Sequence, residues 1–259
     1  MPDFAVASSG EEDALIPEAA SGWRWQDERS AAWESRAVQL AAEVDWEAAL
    51  PVRARTQAWH RGQRVKRLLD IVIAFTALVF LLPFAAVVAV AIALDSRGPV
   101  FYRWRVIGYR GRPFTGYKFR TMVREADAMK ASLVHLNEMQ GPVFKIRRDP
   151  RVTRLGVLLR KFSIDELPQL WSVLLGDMSL VGPRPPSAME FVGFSPPQRL
   201  KLAVRPGVTC VWQVSSKLRM VDFDEWMRLD RWYVENWSVA LDAKLLLETV
   251  WVVVRGTGV

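Results

Sequence analysis

The chain has 259 residues, a formal net charge of +7 and a single cysteine, Cys210. That length buries one good-sized core, as one domain or two small ones, and a lone cysteine excludes an intrachain disulfide and suits a reducing compartment. The charge is uneven: residues 1–60 carry 5 basic and 11 acidic groups, residues 97–217 carry 21 and 8, so a positive field in mid-chain would draw nucleic acid, anionic headgroups or a phosphorylated small substrate.

Residues 1–60 read as an acidic, partly ordered extension, with helical periodicity in "ERSAAWESRAVQLAAEVDWEAAL" and no chemical motif. Their polar, acidic start is not that of a secretory signal. Residues 61–96 form a membrane segment. Within it, residues 71–94 carry no charge, a run of 24 that would reach about 36 Å as a straight helix against roughly 30 Å of hydrocarbon. Pro83 stands at its centre and removes a backbone donor. The flanks are equally basic, with Arg53, Arg55, Arg61, Arg64, Lys66 and Arg67 before and Arg97, Arg103, Arg105, Arg110, Arg112 and Lys118 after. Basic flanks stay cytoplasmic, so a helix broken at Pro83 that dips in and returns to the same face is expected over one that spans.

Residues 97–259 form the globular part. Residues 100–122 place β-branched and aromatic residues on both sides of Gly108 to Pro113 and predict a hairpin. Residues 124–138 read as an exposed helix. "DPRVTRLGVLLRKF" predicts a turn at Asp149-Pro150 and a basic helix capped by Thr153. "VRPGVTCVWQV" predicts a turn and then a strand. Residues 224–238 form an amphipathic stretch rich in tryptophan, an interfacial side chain, and "LLLETVWVVV" is too short to span and suits a buried or surface-lying helix. No internal repeat, dinucleotide fingerprint or Walker A loop is present. The expected fold class is α+β: a mostly helical globular domain with a small β-hairpin or sheet, on a Pro-broken re-entrant membrane helix.

Asp165 and Glu166 are adjacent acids in this basic region. Ser163 to Glu166 matches a capping box, and Leu167, Leu170, Trp171 and Leu174 follow at helical spacing. Pro168 fits that box poorly, since it would fall inside the helix; with Asp165 as the cap it falls in the tolerated first turn. Asp165 would then meet the positive end of the helix dipole, available as nucleophile or metal ligand. Around the pair the sequence supplies Lys118, Arg120, Arg147, Arg148, Arg151, Arg154, Arg160, Lys161 and Arg184. Arg184 stands in "VGPRPP", a rigid turn that would hold a guanidinium at a fixed angle, as bidentate phosphate recognition requires. Carboxylates facing a diphosphate call for a divalent cation, and Mg²⁺ prefers carboxylate plus phosphate oxygen. The set suits phosphoryl transfer.

"KRLLDIVIAFTALVFLLPF", "YKFRTM", "DPRVTRLGVLLRKFSIDELPQLWSVLLGDMSLVGPRPP", "VRPGVTCVWQV" and "LDRWYVENWSVALDAKLLLETV" resemble, in order and spacing, the bacterial sugar transferase family, the monotopic polyprenyl-phosphate phosphoglycosyl transferases. The resemblance covers residues 65–259. It implies a re-entrant membrane helix broken at Pro83, a catalytic domain on the cytoplasmic face of the bacterial inner membrane, and a two-step reaction in exopolysaccharide or capsule assembly. Asp165 would attack the sugar-bearing phosphate of a UDP-sugar and release UMP; undecaprenyl phosphate would then take the phosphosugar. Glu166 would help hold Mg²⁺, with Asp165 as the other metal-site acid, and Lys118, Arg120, Pro183, Arg184 and Lys217 would bind substrate. Two positions depart from the family: Leu82 precedes Pro83 where serine is frequent, and Ser215-Ser216-Lys217 stands where a glycine and an arginine are common. The insert "HLNEMQGPVFKIRRDPRVT" resembles members that transfer hexose 1-phosphates. The lipid bilayer is an expected partner, nucleic acid is not, and a homo-oligomer is one allowed state. A basic module that binds anionic lipid or nucleic acid without chemistry is the competing reading, and it has no use for the acid pair.

Overall fold

The computed structural model describes residues 28–48, 50–215 and 222–257. Lys217 lies outside the described residues, as do the first 27 residues of the acidic extension. The described part of that extension is folded. Helix α1 (Glu28–Ala42) turns Ala37, Leu40 and Ala41 onto one face, where they are buried with Ile107, Ala188 and Phe191. A 3₁₀ turn, Val52–Arg55, leads to α2.

Helix α2 (Gln57–Asp95) begins four residues before the expected boundary, where Thr56 caps it by accepting from the Trp59 amide. Among the described residues it is the one helix long and apolar enough to cross a membrane. The expected separation into two helices at Pro83 is not present, because the helical backbone runs continuously through it for 39 residues. Proline cannot bond the Val79 carbonyl, but a helix can absorb that loss as a local bend without ending. One stripe of α2 packs on the body along its length: Ala74, Ala77 and Leu78, then Ala85, Val88, Ala89 and Ile92. The opposite face leaves Phe80, Val87 and Leu94 exposed, and Leu82 is exposed next to Pro83. Polar contacts tie both halves to the same body. Asp70 accepts from the Leu180 amide (3.0 Å) and Arg67 donates to the Val173 and Leu174 carbonyls (2.6 and 2.9 Å). At the far end Arg120 donates to the carbonyls of Ser96 and Arg97 (2.6 Å each) and Ile92 (3.3 Å).

Strands β1 (Phe101–Ile107) and β2 (Pro113–Phe119) form the predicted hairpin, antiparallel, with Trp104 facing Gly116 and Tyr102 facing Lys118. Residues 124–138 do not form one helix: they give α3 (Ala126–Met129) and a 3₁₀ turn, Ala131–Leu136. A short exposed helix is marginal on its own, and the Ser132 hydroxyl, bonded to the Met129 carbonyl (2.9 Å), offers the backbone an alternative partner. Helix α4 (Arg154–Lys161) is capped by Thr153 as expected, its hydroxyl accepting from the Gly156 amide (3.0 Å).

Helix α5 (Gln169–Leu175) follows the acid pair and ends at Gly176 in the left-handed conformation. Strand β3 (Ser179–Val181) pairs in parallel with β4 (Gly207–Thr209). Gly182, just after β3, and Gly207, the first residue of β4, meet backbone to backbone: a Cβ on Gly207 would stand 2.1 Å from the Gly182 nitrogen. Only glycine permits that approach, and it sets the Pro183-Arg184 corner, whose Pro183 carbonyl accepts from the Gly207 amide (3.0 Å). Short helices α6 (Ala188–Val192) and α7 (Pro196–Arg199) lie between. The segment after β4 is helix α8 (Val211–Val214), not the expected continuation of a strand.

Helices α9 (Phe223–Asn236) and α10 (Val239–Arg255) close the chain. Asp242 joins them to β3 and α2. It accepts from Lys66 (2.6 Å), the Tyr233 hydroxyl (2.7 Å) and the Trp237 indole (3.0 Å), and Lys66 and Tyr233 both also reach the Val181 carbonyl. The architecture is α+β: a helical body with two two-stranded sheets among the described residues.

Candidate active site

The acid pair sits on a corner. Helix α4 ends at Lys161, Ser163 takes a left-handed backbone (φ 53°), and Ile164–Glu166 forms a 3₁₀ turn closed by Glu166 and Leu167 amides on the Ser163 and Ile164 carbonyls. The expected capping box is absent. A capping serine needs extended backbone, whereas Ser163 reverses the chain and makes no side-chain cap bond. Asp165 is not the cap of α5 either, because Pro168 occupies that place. Leu167 packs against both apolar clusters that α2 joins, which fixes the corner against the two halves of that helix.

The two acids have opposite surroundings. Glu166 Oε1 lies 2.6 Å from Lys118 Nζ and 3.5 Å from an Arg184 guanidinium nitrogen. Burial opposes its charge, but Lys118 and Arg184, with hydrogen bonds from Lys118 and Gln169, hold its carboxyl below the usual range. Asp165 is 8 % exposed and makes no ion pair within 4 Å among the described residues; its carboxylate is engaged by its own amide. Burial first, and then the neighbouring Glu166 charge, push its carboxyl above the usual range, while Lys118 and Arg160 work against them. The result is one balanced carboxylate beside one that is buried and unpaired.

Lys118 and Arg184 are thus brought together at Glu166, with Pro183 buried at the base of the corner that carries Arg184. Arg120 is not. Its guanidinium ends α2 by filling carbonyls that lack an intrahelical donor, a structural duty that takes it away from the pair. Arg151 is bound to Asp149 (2.6 Å) and Arg147 reaches Glu138 (3.8 Å). Arg160, anchored on the Thr121 hydroxyl (2.9 Å), keeps its charge on Asp165. Three contributors escape a reading of the sequence. Trp104 lies under both site cations, its ring centroid 4.7 Å from Lys118 Nζ and 5.8 Å from Arg184 Cζ. Gln169 bonds Glu166. Lys145, 5.3 Å over the Trp226 ring, has its ammonium pushed down to about 8 by burial, with Arg184 and Arg147 adding to it. Only Trp104 left a signal: a hairpin centred on residues 108–112 pairs it with Gly116.

Among the described residues no group of three or more His, Cys, Asp or Glu could hold a metal alone. Asp165 and Glu166 fit as the protein's share of a Mg²⁺ site, since this hard ion takes one or two carboxylates and completes its shell with phosphate and water.

Residues 61–256 match the family described as bacterial sugar transferase. Three relatives illustrate the likeness. The galactosyl transferase CpsE of Streptococcus agalactiae is 42 % identical over 196 residues, which are 74 % of this chain and 43 % of that protein. The undecaprenyl-phosphate galactose phosphotransferase of Salmonella typhimurium is 37 % identical over 198 residues, 75 % of this chain and 41 % of the other. The exopolysaccharide production protein ExoY of Rhizobium meliloti is 35 % identical over 193 residues, 73 % of this chain and 85 % of the other. The chain spans less than half the length of the first two.

Proposed function

The chain belongs to the bacterial sugar transferase family, and we propose that it is a membrane phosphoglycosyl transferase that moves a sugar 1-phosphate from a UDP-sugar to undecaprenyl phosphate. The observation that carries this reading is the buried, unpaired carboxylate of Asp165 beside Glu166, whose own charge is balanced by Lys118 and Arg184. A carboxylate with no lysine or arginine paired to it can act as a nucleophile, while cations held within reach can receive a diphosphate.

In the first step an Asp165 oxygen attacks the sugar-bearing phosphorus, the bond to the bridging oxygen breaks, and UMP leaves with that oxygen. In the second, an oxygen of undecaprenyl phosphate attacks the same phosphorus, forming the lipid diphosphate sugar and returning the Asp165 carboxylate. Lys118 and Arg184 hold phosphate oxygens through both steps, and Lys217 is a further candidate. Asp165 and Glu166 would hold Mg²⁺, which would supply charge neutralisation at the diphosphate. The relative named for undecaprenyl-phosphate galactose transfer, and one of Komagataeibacter xylinus named for undecaprenyl-phosphate glucose transfer, support a hexose 1-phosphate, and the relative named for exopolysaccharide production supports a place in exopolysaccharide assembly.

The membrane reading places the body on the cytoplasmic face of the inner membrane, with α2 entering and leaving on that side. It is supported by the equally basic flanks and by the polar ties that bind both halves of α2 to one body. Apolar side chains exposed on α4 (Val157, Leu158), α5 (Trp171, Leu175) and α10 (Val250, Trp251) suit helices resting at headgroup depth.

The test is UMP release from a panel of UDP-sugars by solubilised protein with Mg²⁺ and undecaprenyl phosphate, comparing wild type with Asp165→Asn. Loss of release at unchanged thermal stability is expected. Normal turnover by Asp165→Asn overturns the reading.

A further inference from the structure

We propose that Trp104 is a positioning residue for the donor diphosphate: its indole face holds the Lys118 and Arg184 cations as they turn from Glu166 to the phosphates. The inference rests on the phosphoglycosyl transferase reading of the same site. It begins from a shared geometry. Lys118 and Arg184 converge on one carboxylate oxygen, at 2.6 and 3.5 Å, and on one indole ring, at 4.7 and 5.8 Å.

Both cations lean on the same oxygen, Glu166 Oε1. A lysine or arginine that turns from that oxygen to a substrate phosphate gives up its anchor, and its large rotamer entropy would let it swing into water. The face of an aromatic ring, tryptophan above all, attracts a cation without competing for anionic oxygens. Trp104 can thus keep the two cations facing the phosphates as they turn from Glu166.

The hairpin reserves the place for this ring. Gly116 stands opposite Trp104 in the strand register, and a Cβ there would lie 2.2 Å from the indole nitrogen and 2.9 Å from Cδ1. The indole nitrogen is buried and has no hydrogen-bond partner among the described residues, whereas a buried tryptophan usually finds one. What this placement serves is the ring's face.

A purely packing role and a face role separate by experiment on the full chain. Donor KM, kcat and calorimetric binding of UDP with Mg²⁺ are measured for wild type, Trp104→Leu and Trp104→Phe, with thermal stability alongside. Loss of the face in Trp104→Leu is expected to raise donor KM and weaken UDP about tenfold, the equivalent of about 1.4 kcal/mol, with a smaller effect on kcat; Trp104→Phe recovers most of it. Should Trp104→Leu fold poorly, tryptophans of increasing fluorination at position 104 keep the shape and drain the face, and UDP affinity should then fall step by step with fluorine number. Affinity indifferent to fluorination, or Leu and Phe variants equally impaired in proportion to lost stability, overturns the proposal. A wild-type protein that binds no UDP and releases no UMP overturns the parent reading instead, and that result is distinct from one in which only the Trp104 variants behave like wild type.

Discussion

Lys118 Nζ lies 2.6 Å from Glu166 Oε1, and that contact divides two adjacent carboxylates into different chemical species. Glu166 is held ionised by Lys118 and Arg184 against the burial that opposes its charge. Asp165 is left to bear burial and the Glu166 charge with only longer-range help from Lys118 and Arg160. Neighbouring groups whose environments push their ionisation apart are the pattern of a working acid pair.

The first prediction concerns pH. Asp165 must be ionised to attack, and its carboxyl keeps its proton to higher pH than an ordinary aspartate because of burial and Glu166. The rate of the first step should therefore fall with acidity along a limb that lies above the usual aspartate range and belongs to the coupled pair. Glu166→Gln removes the repelling charge and should move that limb to lower pH, on top of any loss of rate. Lys118→Met removes an attracting charge and should move it to higher pH. A pH–rate profile with the same limb in all three proteins would count against the coupling.

The second concerns the network under the Pro183-Arg184 corner. Lys66 and Asp242 are 11 % and 10 % exposed at their side chains and 2.6 Å apart. Lys66→Met strands a buried carboxylate with only the Tyr233 and Trp237 donors. Breaking one partner of such a pair costs about 3–5 kcal/mol, measurable by denaturant unfolding of the solubilised protein. A cost under about 1 kcal/mol, the range of exposed pairs, would mean that water reaches the pair.

The third concerns α1, which lies outside the residues 61–256 matched to the family yet buries Leu40 in the body. Leu40→Ala should cost about 2–5 kcal/mol, as a core truncation does. Gly111→Ala should act in the same direction, because Gly111 has φ 75° and a Cβ there would stand 2.1 Å from the Ala41 Cβ. Unchanged melting temperatures in both variants would show that α1 is not part of the cooperative fold.

What the sequence made legible was local. The hairpin followed from aromatic and β-branched runs around Gly108–Pro113, and α4 from the Thr153 cap, because both signals act within a few residues. What stayed hidden depended on distant partners. Arg120 looks like any cation in a basic stretch until the carbonyls at the end of α2 are seen to need its donors. Ser163 matches a capping box, but the reversal after α4 sets its backbone and cancels the cap. For the acid pair, adjacency and surrounding charge were visible; which acid would be balanced was not, since Lys118 reaches Glu166 from 48 residues away.

The last prediction concerns the path of α2. A helix that spans leaves the body that holds its first half, but α2 is tied to the body at Arg67 and Asp70 and again at Ile92, Ser96 and Arg97. On the proposed re-entrant reading both ends of α2 therefore face one compartment. In a Cys210→Ser background, single cysteines at Gln57 and Asp95, both exposed, should react with an impermeant maleimide from the same side of sealed vesicles. In right-side-out vesicles neither should label, and in inverted vesicles both should, because basic flanks stay cytoplasmic. Labelling of one position in each vesicle orientation would establish a span, and the contacts of one half of α2 with the body would then have to be given up.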